Sequence, residues 1–130
     1  MHDKSSLDLL ADYFIKYRIK VFSTGGTAKF LKNYSKKINL IEISEFTDFK
    51  EILGGRVKSL HPNIHSGILA NKENIIHQKQ LKKINVPFID LVVVNLYPFE
   101  KVINEKASTR EDCIENIDIG GPTLIRGAAK

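Results

Sequence analysis

Residues 19–34, "IKVFSTGGTAKFLKNY", decide the reading of the fold. A short apolar run (residues 19–23, "IKVFS") reads as a strand. It ends on Ser23-Thr24-Gly25-Gly26-Thr27, and residues 27–34 then read as a helix. A strand that turns through glycines into a helix is one half of an α/β repeat. The pattern continues in both directions. Upstream, Leu7, Leu10, Ala11, Phe14 and Ile15 recur at helical spacing, which predicts an amphipathic helix over 5–17. Ser5 followed by Asp8 has the form of a capping box at its start. Downstream, residues 38–43 ("INLIEI") predict a second strand and 49–53 a short helical turn. A helix is expected over 73–84, and further helices over 98–105, 109–116 and 123–129. Residues 89–96 ("IDLVVVNL") form an apolar run of the kind buried on both faces of a parallel sheet. The expectation is an α/β layered fold with a mainly parallel sheet. Its first element is a helix, whereas doubly wound folds place their first strand near the sheet centre. Either the domain begins unusually or its first strand is missing.

Composition limits the function classes. The 130 residues suit one domain; 42% are hydrophobic and 27% charged. No apolar run approaches the roughly 20 residues that cross a bilayer, and the first residues lack the apolar core of a signal peptide. The lone cysteine, Cys113, excludes an intrachain disulfide, so a cytoplasmic location is expected. The formal charge of +5 suits an anionic ligand. The lysines are scattered, without the basic stripe and exposed aromatics of a nucleic-acid binder, so neither nucleic acid nor membrane is expected as partner.

Four segments carry candidate chemistry. The Thr24-Gly25-Gly26-Thr27 turn lies where a strand ends and a helix begins. Free N–H groups, close backbone approach and two hydroxyls there suit a phosphate, although a plain strand-to-helix turn has the same outline. It is neither a Walker A loop nor a dinucleotide fingerprint. The segment "GGRVKSLHPNIHSG" (residues 54–67) shows no helical or strand period. Its His61 and His65 are four apart, but Pro62 argues against one continuous helix, and zinc sites gather three or four ligands. No metal is proposed there. Arg56 and Lys58 follow two glycines as though presented in an extended segment; a solvated charged loop is the competing reading. Asn95 and Tyr97 close the apolar run at the end of a strand, where open α/β sheets bind ligands. Asp118-Ile119-Gly120-Gly121-Pro122-Thr123 is a second Gly-Gly turn before a helix, whose amides can support an oxyanion or simply start the helix.

Taken in order, "STGGTAKFL", "EILGGRVKSLHPNIHSGIL", "VVVNLYPFEK" and "ENIDIGGPTLIRGAAK" closely resemble the IMP cyclohydrolase domain of the bifunctional purine-biosynthesis enzymes, AICAR formyltransferase/IMP cyclohydrolase. The resemblance covers essentially the whole chain, and "LGGRVKSLHP" and "NLYPF…IDIGG" are its most specific parts. It implies a three-layer α/β/α, methylglyoxal-synthase-like (Rossmann-like) fold with a mainly parallel sheet. It implies closure of FAICAR to IMP with loss of water. It also implies that Lys4 with Thr24, Gly25, Gly26 and Thr27 holds the 5′-phosphate. Arg56, Lys58 and Ser59 would line the substrate site, and Val94 and Asn95 would contact the base portion. Ile119 and Gly120 would offer main-chain donors near the formyl oxygen. Lys58, Tyr97, Asp118 and Lys130 match the proton-handling group. Ring closure needs a base, an acid and an oxyanion donor but no metal or cofactor. The 10-formyltetrahydrofolate of the second activity belongs to a formyltransferase domain outside this sequence. A purine ribonucleotide is the implied ligand and a homodimer the implied assembly. The sequence departs from the family at both ends. A first strand reading like "ALISVSDK" is missing, His2 stands where the family has serine, and the chain stops at Lys130, so a partial domain is expected. Rival readings are methylglyoxal synthase, whose glycine-rich catalytic loop with an aspartate is replaced here by "GGRVK", a regulatory nucleotide-binding module, and an inactive fragment.

Overall fold

The computed structural model describes residues 1–130. They form two compact units, the first comprising Met1 and Asp3–Ile64, the second His2 and His65–Lys130.

The first unit holds the α/β repeat. Helix α1 (Leu7–Lys16) is followed by β1 (Lys20–Ser23), α2 (Gly25–Tyr34), β2 (Asn39–Glu42) and α3 (Ile43–Thr47). The strands pair in parallel, Lys20 opposite Asn39 through Ser23 opposite Glu42. A parallel pair needs a crossover, and α2 supplies it. Leu7, Ala11 and Phe14 place one stripe of α1 in the core beside Leu31 and Ile38, with Val21 and Leu40 of the strands packed against them. Full burial of each such side chain contributes about 1.5–3 kcal/mol. Phe22 meets Phe46 with ring centroids 4.7 Å apart, which seats α3 on β1. Asp48, at φ 51°, ends α3. The expected Ser5–Asp8 capping box does not form. Asp3 instead accepts hydrogen bonds from the Ser5 N–H (2.8 Å) and hydroxyl (2.9 Å), and Ser6 enters α1 with φ 63°. An aspartate two residues ahead competes for the serine that would have capped the helix. The helical turn expected over 49–53 is replaced by a 3₁₀ turn at Leu53–Gly55 inside an antiparallel bridge between Ile52 and Val57.

The division falls within α4 (Pro62–Leu69), an element the sequence pattern did not announce. Pro62 does not break it but opens it, because a missing N–H costs nothing in a helix's first turn. The second unit continues with α5 (Ile75–Lys83), α6 (Phe99–Asn104), α7 (Arg110–Glu115) and α8 (Gly120–Ala129). Asn74 caps α5 by accepting from the N–H groups of Ile76 and His77. Thr109 and Asp112 form a full capping box on α7. Leu81 and Val86 are buried. The apolar run at 89–96 corrects the sequence reading. It pairs into no strand, and Leu91 is 63% exposed where two-sided burial was expected. An extended segment becomes a strand only through a hydrogen-bonded neighbour, and the second unit contains no other strand. The fold is an α/β architecture in which two parallel strands and their flanking helices are present and further strands are not. No helix is long and apolar enough to cross a membrane.

Candidate functional site

In the first unit, β1 delivers Ser23 to the start of α2, where the chain turns through Thr24 (φ −119°, ψ 156°) and Gly25 (φ 49°). The left-handed φ at Gly25 is what the glycine is for. No side chain caps α2 and no acidic residue lies in its first turn, so its leading N–H groups present positive potential. Lys4 comes to this point. Its Cε and Nζ lie 3.5 and 3.7 Å from where a Cβ on Gly26 would be. The Lys4 ammonium also donates to the Met1 carbonyl at 3.3 Å, and the α-amino group of Met1 donates to Thr27 Oγ1 at 3.2 Å. Lys4, Gly26 and Thr27 are thus brought together, with two ammonium groups beside a helix start.

Arg56, Lys58 and Ser59 follow the 3₁₀ turn of the same unit. Arg56 is exposed, Lys58 half-buried and Ser59 buried. His61 and Phe49 are ring neighbours (centroids 6.1 Å), and His61 Nδ1 accepts from the Asn63 N–H at 3.1 Å, which ties that histidine to the start of α4.

In the second unit, Asn95 and Tyr97 share a neighbour in His2. The His2 N–H donates to Asn95 Oδ1 at 2.6 Å, and the His2 ring stands edge-on to Tyr97 with centroids 5.8 Å apart at 83°. Val94 and Asn95 are half-buried and Tyr97 is 40% exposed. Asp118 Oδ1 accepts from the Gly121 N–H at 2.8 Å and so ties down the start of α8. A Cβ on Gly121 would fall 2.6 Å from Leu96 Cδ2 and 2.7 Å from Asp118 Oδ2, so a larger residue there would have to push both side chains aside. Ile119 precedes α8 and Gly120 begins it, while Lys130 follows its last residue. A helix of ten residues is about 15 Å long, which leaves Asp118 and Lys130 at opposite ends of α8 rather than side by side. A shallow apolar groove of about 690 Å³ runs along α8, lined by Leu96, Pro122, Thr123, Ile125, Arg126 and Ala129. None of the candidate residues lines it.

The Glu42 carboxylate raises Lys32, the Asp12 carboxylate raises Tyr34, and hydrogen bonds from the Thr109 backbone N–H and hydroxyl lower Asp112. The sequence reading missed Glu51 and His2 as neighbours of candidate residues. Glu51 sits seven residues before Lys58 around a Gly-Gly turn, a spacing that opposes two side chains when such a turn closes a bridge.

Comparison with known proteins gives the family. Residues 7–123 match the MGS-like domain model. The chain is 58% identical over 111 residues to the bifunctional purine biosynthesis protein PurH of Caldicellulosiruptor saccharolyticus, an alignment covering 85% of this chain and 21% of that protein. It is 50% identical over 127 residues to PurH of Prochlorococcus marinus (98% and 24%) and 49% identical over 130 residues to PurH of Fusobacterium nucleatum (100% and 25%). The chain therefore spans about a quarter of the length of these relatives. The crystal structure of ForH is similar with a TM-score of 0.70 at 27% identity, covering 98% of this chain and 63% of that one.

Proposed function

The chain belongs to the MGS-like domain family, and from that membership we propose that it carries the IMP cyclohydrolase activity of purine biosynthesis, closing FAICAR to IMP. The observation that carries the reading is an identity of about one half to purine biosynthesis proteins along essentially the whole chain. The start of α2 with Lys4 and Thr27 supports a role in holding the 5′-phosphate, since helix N–H groups and ammonium groups both favour an anion. Arg56, Lys58 and Ser59 are assigned to the substrate, and Val94 and Asn95 to its base portion. The carboxamide nitrogen forms a bond to the formyl carbon and gives up one proton as the formyl oxygen gains one. The resulting hydroxyl then leaves as water with the proton of the formamido nitrogen, as a double bond forms between that nitrogen and the former formyl carbon. Lys58 and Tyr97 are assigned to activating the nitrogen. The main-chain N–H groups of Ile119 and Gly120 are assigned to the oxygen, and Asp118 and Lys130 to its departure. The substrate would be a soluble purine ribonucleotide, the protein a cytoplasmic homodimer, and no cofactor is required for this step.

The expected outcome is conversion of FAICAR to IMP by this chain, followed by absorbance, and a loss of about 100-fold or more in Lys58→Ala, the usual contribution of a proton-transferring side chain. Unchanged turnover in Lys58→Ala would refute its assignment, and no conversion by this chain would refute the activity. One observation favours a second reading, a nucleotide-binding regulatory module. Lys4, Thr27 and the Met1 amine gather at the start of α2, whereas the Asp118 carboxylate is engaged at the start of α8 and Lys130 stands at the other end. Tight nucleotide binding without turnover would select that reading.

A further inference from the structure

Glu51 has no part in the proposed chemistry, yet the geometry around it is specific. Ile52 and Val57 form an antiparallel bridge in which each N–H donates to the other's carbonyl, at 3.2 and 3.4 Å. When a pair exchanges both hydrogen bonds, the next pair outward is directly opposed, with its side chains close together and on the other face. That next pair is Glu51 and Lys58. The chain reverses between them through Leu53, Gly54 and Gly55 at φ 54°, 62° and 90°. Gly55 leaves open the space the two side chains use. A Cβ there would lie 2.9 Å from Glu51 Oε1 and 3.7 Å from Lys58 Nζ. Bridge register and glycine vacancy thus place a carboxylate and an ammonium over the same backbone atom. Glu51 is exposed and Lys58 half-buried, so both charged groups lie at the mouth of the turn rather than in the core.

We infer that Glu51 is a positioning residue for Lys58, resting on the reading above that Lys58 serves the substrate. A lysine stem of four methylenes has many rotamers, and a fixed opposite charge selects those that keep the ammonium over Gly55. Lys58 is then aimed before substrate arrives, and orientation of this kind is a source of rate. The Gly-Gly pair shapes the turn so that the carboxylate reaches its place.

The test uses this chain and its Glu51→Gln variant, which keeps shape and removes charge at an exposed position. Trace acetylation with acetic anhydride, read by mass spectrometry with exposed Lys36 as internal reference, measures how tightly the Lys58 amine is held. Glu51→Gln is expected to raise Lys58 labelling about threefold or more, because an amine no longer drawn to the space over Gly55 meets the reagent in more of its rotamers. In turnover of FAICAR, Glu51→Gln is expected to lower kcat about tenfold with KM changed less than about twofold. The double variant with Lys58→Ala should be no slower than Lys58→Ala alone, since a residue acting through Lys58 loses its effect with it. Unchanged Lys58 labelling, wild-type turnover in Glu51→Gln, or fully multiplicative losses in the double variant would overturn the proposal. Full turnover by Lys58→Ala refutes the substrate-site reading instead, and the labelling result stands apart from it.

Discussion

Alanine substitutions at Gly67 and Gly127 should have opposite signs. Both glycines lie inside helices of the second unit, α4 and α8, where alanine is favoured over glycine by about 0.5–1 kcal/mol. Propensity alone makes both changes stabilising. The surroundings separate them. A Cβ on Gly67 would stand 2.8 Å from the carbonyl oxygen of Pro87 and 3.1 Å from two carbons of Ile89. The nearest obstacle is backbone, so it cannot swing aside. The Gly67 carbonyl also accepts the Ile89 N–H at 2.9 Å, which ties the two segments at the point the methyl would force apart. Overpacking of this kind costs about 1–3 kcal/mol, and a weakened hydrogen bond adds about 0.5–1.5 kcal/mol. After the helix gain, Gly67→Ala should lose about 2 kcal/mol, within a range of about 0.5–4 kcal/mol, a central fall in Tm of roughly 6–10 °C for a chain of this size. At Gly127 the nearest atom is Ile68 Cγ2 at 3.5 Å, an ordinary contact. Gly127→Ala should therefore gain up to about 1 kcal/mol, or roughly 2–5 °C. Thermal melts followed by far-ultraviolet circular dichroism at one protein concentration decide it. A Gly67→Ala chain that melts at or above the wild type, or a Gly127→Ala chain that loses more, would refute the packing argument.

Lys4→Ala should weaken binding of inorganic phosphate or a purine ribonucleotide about tenfold by calorimetry, the worth of one charge-assisted hydrogen bond; equal affinity removes Lys4 from the cradle. Thr109→Ala should lower the melting temperature at pH 6 by undoing the capping box on α7, and the difference should shrink at acid pH. The sign follows from Asp112. Its folded carboxyl is held below the ordinary aspartate range by the Thr109 N–H and hydroxyl, so its stabilisation is present above the unfolded value near 4 and fades as pH falls through the folded one. A difference between wild type and variant that stays constant from pH 6 to pH 3 contradicts this.

How much of the molecule the sequence disclosed depended on whether the deciding interaction was local. The helix pattern of α1, the strands 39–42 and 20–23, and the Gly-Gly entry to α2 were legible because side-chain period and turn chemistry act within a few residues. The α4 helix was not. Pro62 read as a breaker, although it occupies the helix position where its missing N–H is harmless. Residues 89–96 failed for the opposite reason. Val92, Val93 and Val94 have every local property of a buried strand, but a strand is a property of a pair.

The same distinction orders the candidate site. Thr24 to Thr27 was singled out from glycine placement and Lys4 from the family resemblance; the structure brings Lys4 to that turn and adds the Met1 amine. Lys58 was singled out from its motif, whereas Glu51 became visible as its neighbour only once the Ile52–Val57 bridge fixed which residues oppose each other. Asp118 shows what a motif leaves open. Its carboxylate accepts the Gly121 N–H, and the crowding of Leu96 Cδ2 and Asp118 Oδ2 against Gly121 explains why a second glycine follows the first. A residue that must start a helix and also serve a reacting oxygen uses its two oxygens for different ends. With Oδ1 committed to the helix, the role proposed for Asp118 in the departure of the oxygen would rest on Oδ2, the oxygen that a side chain on Gly121 would crowd.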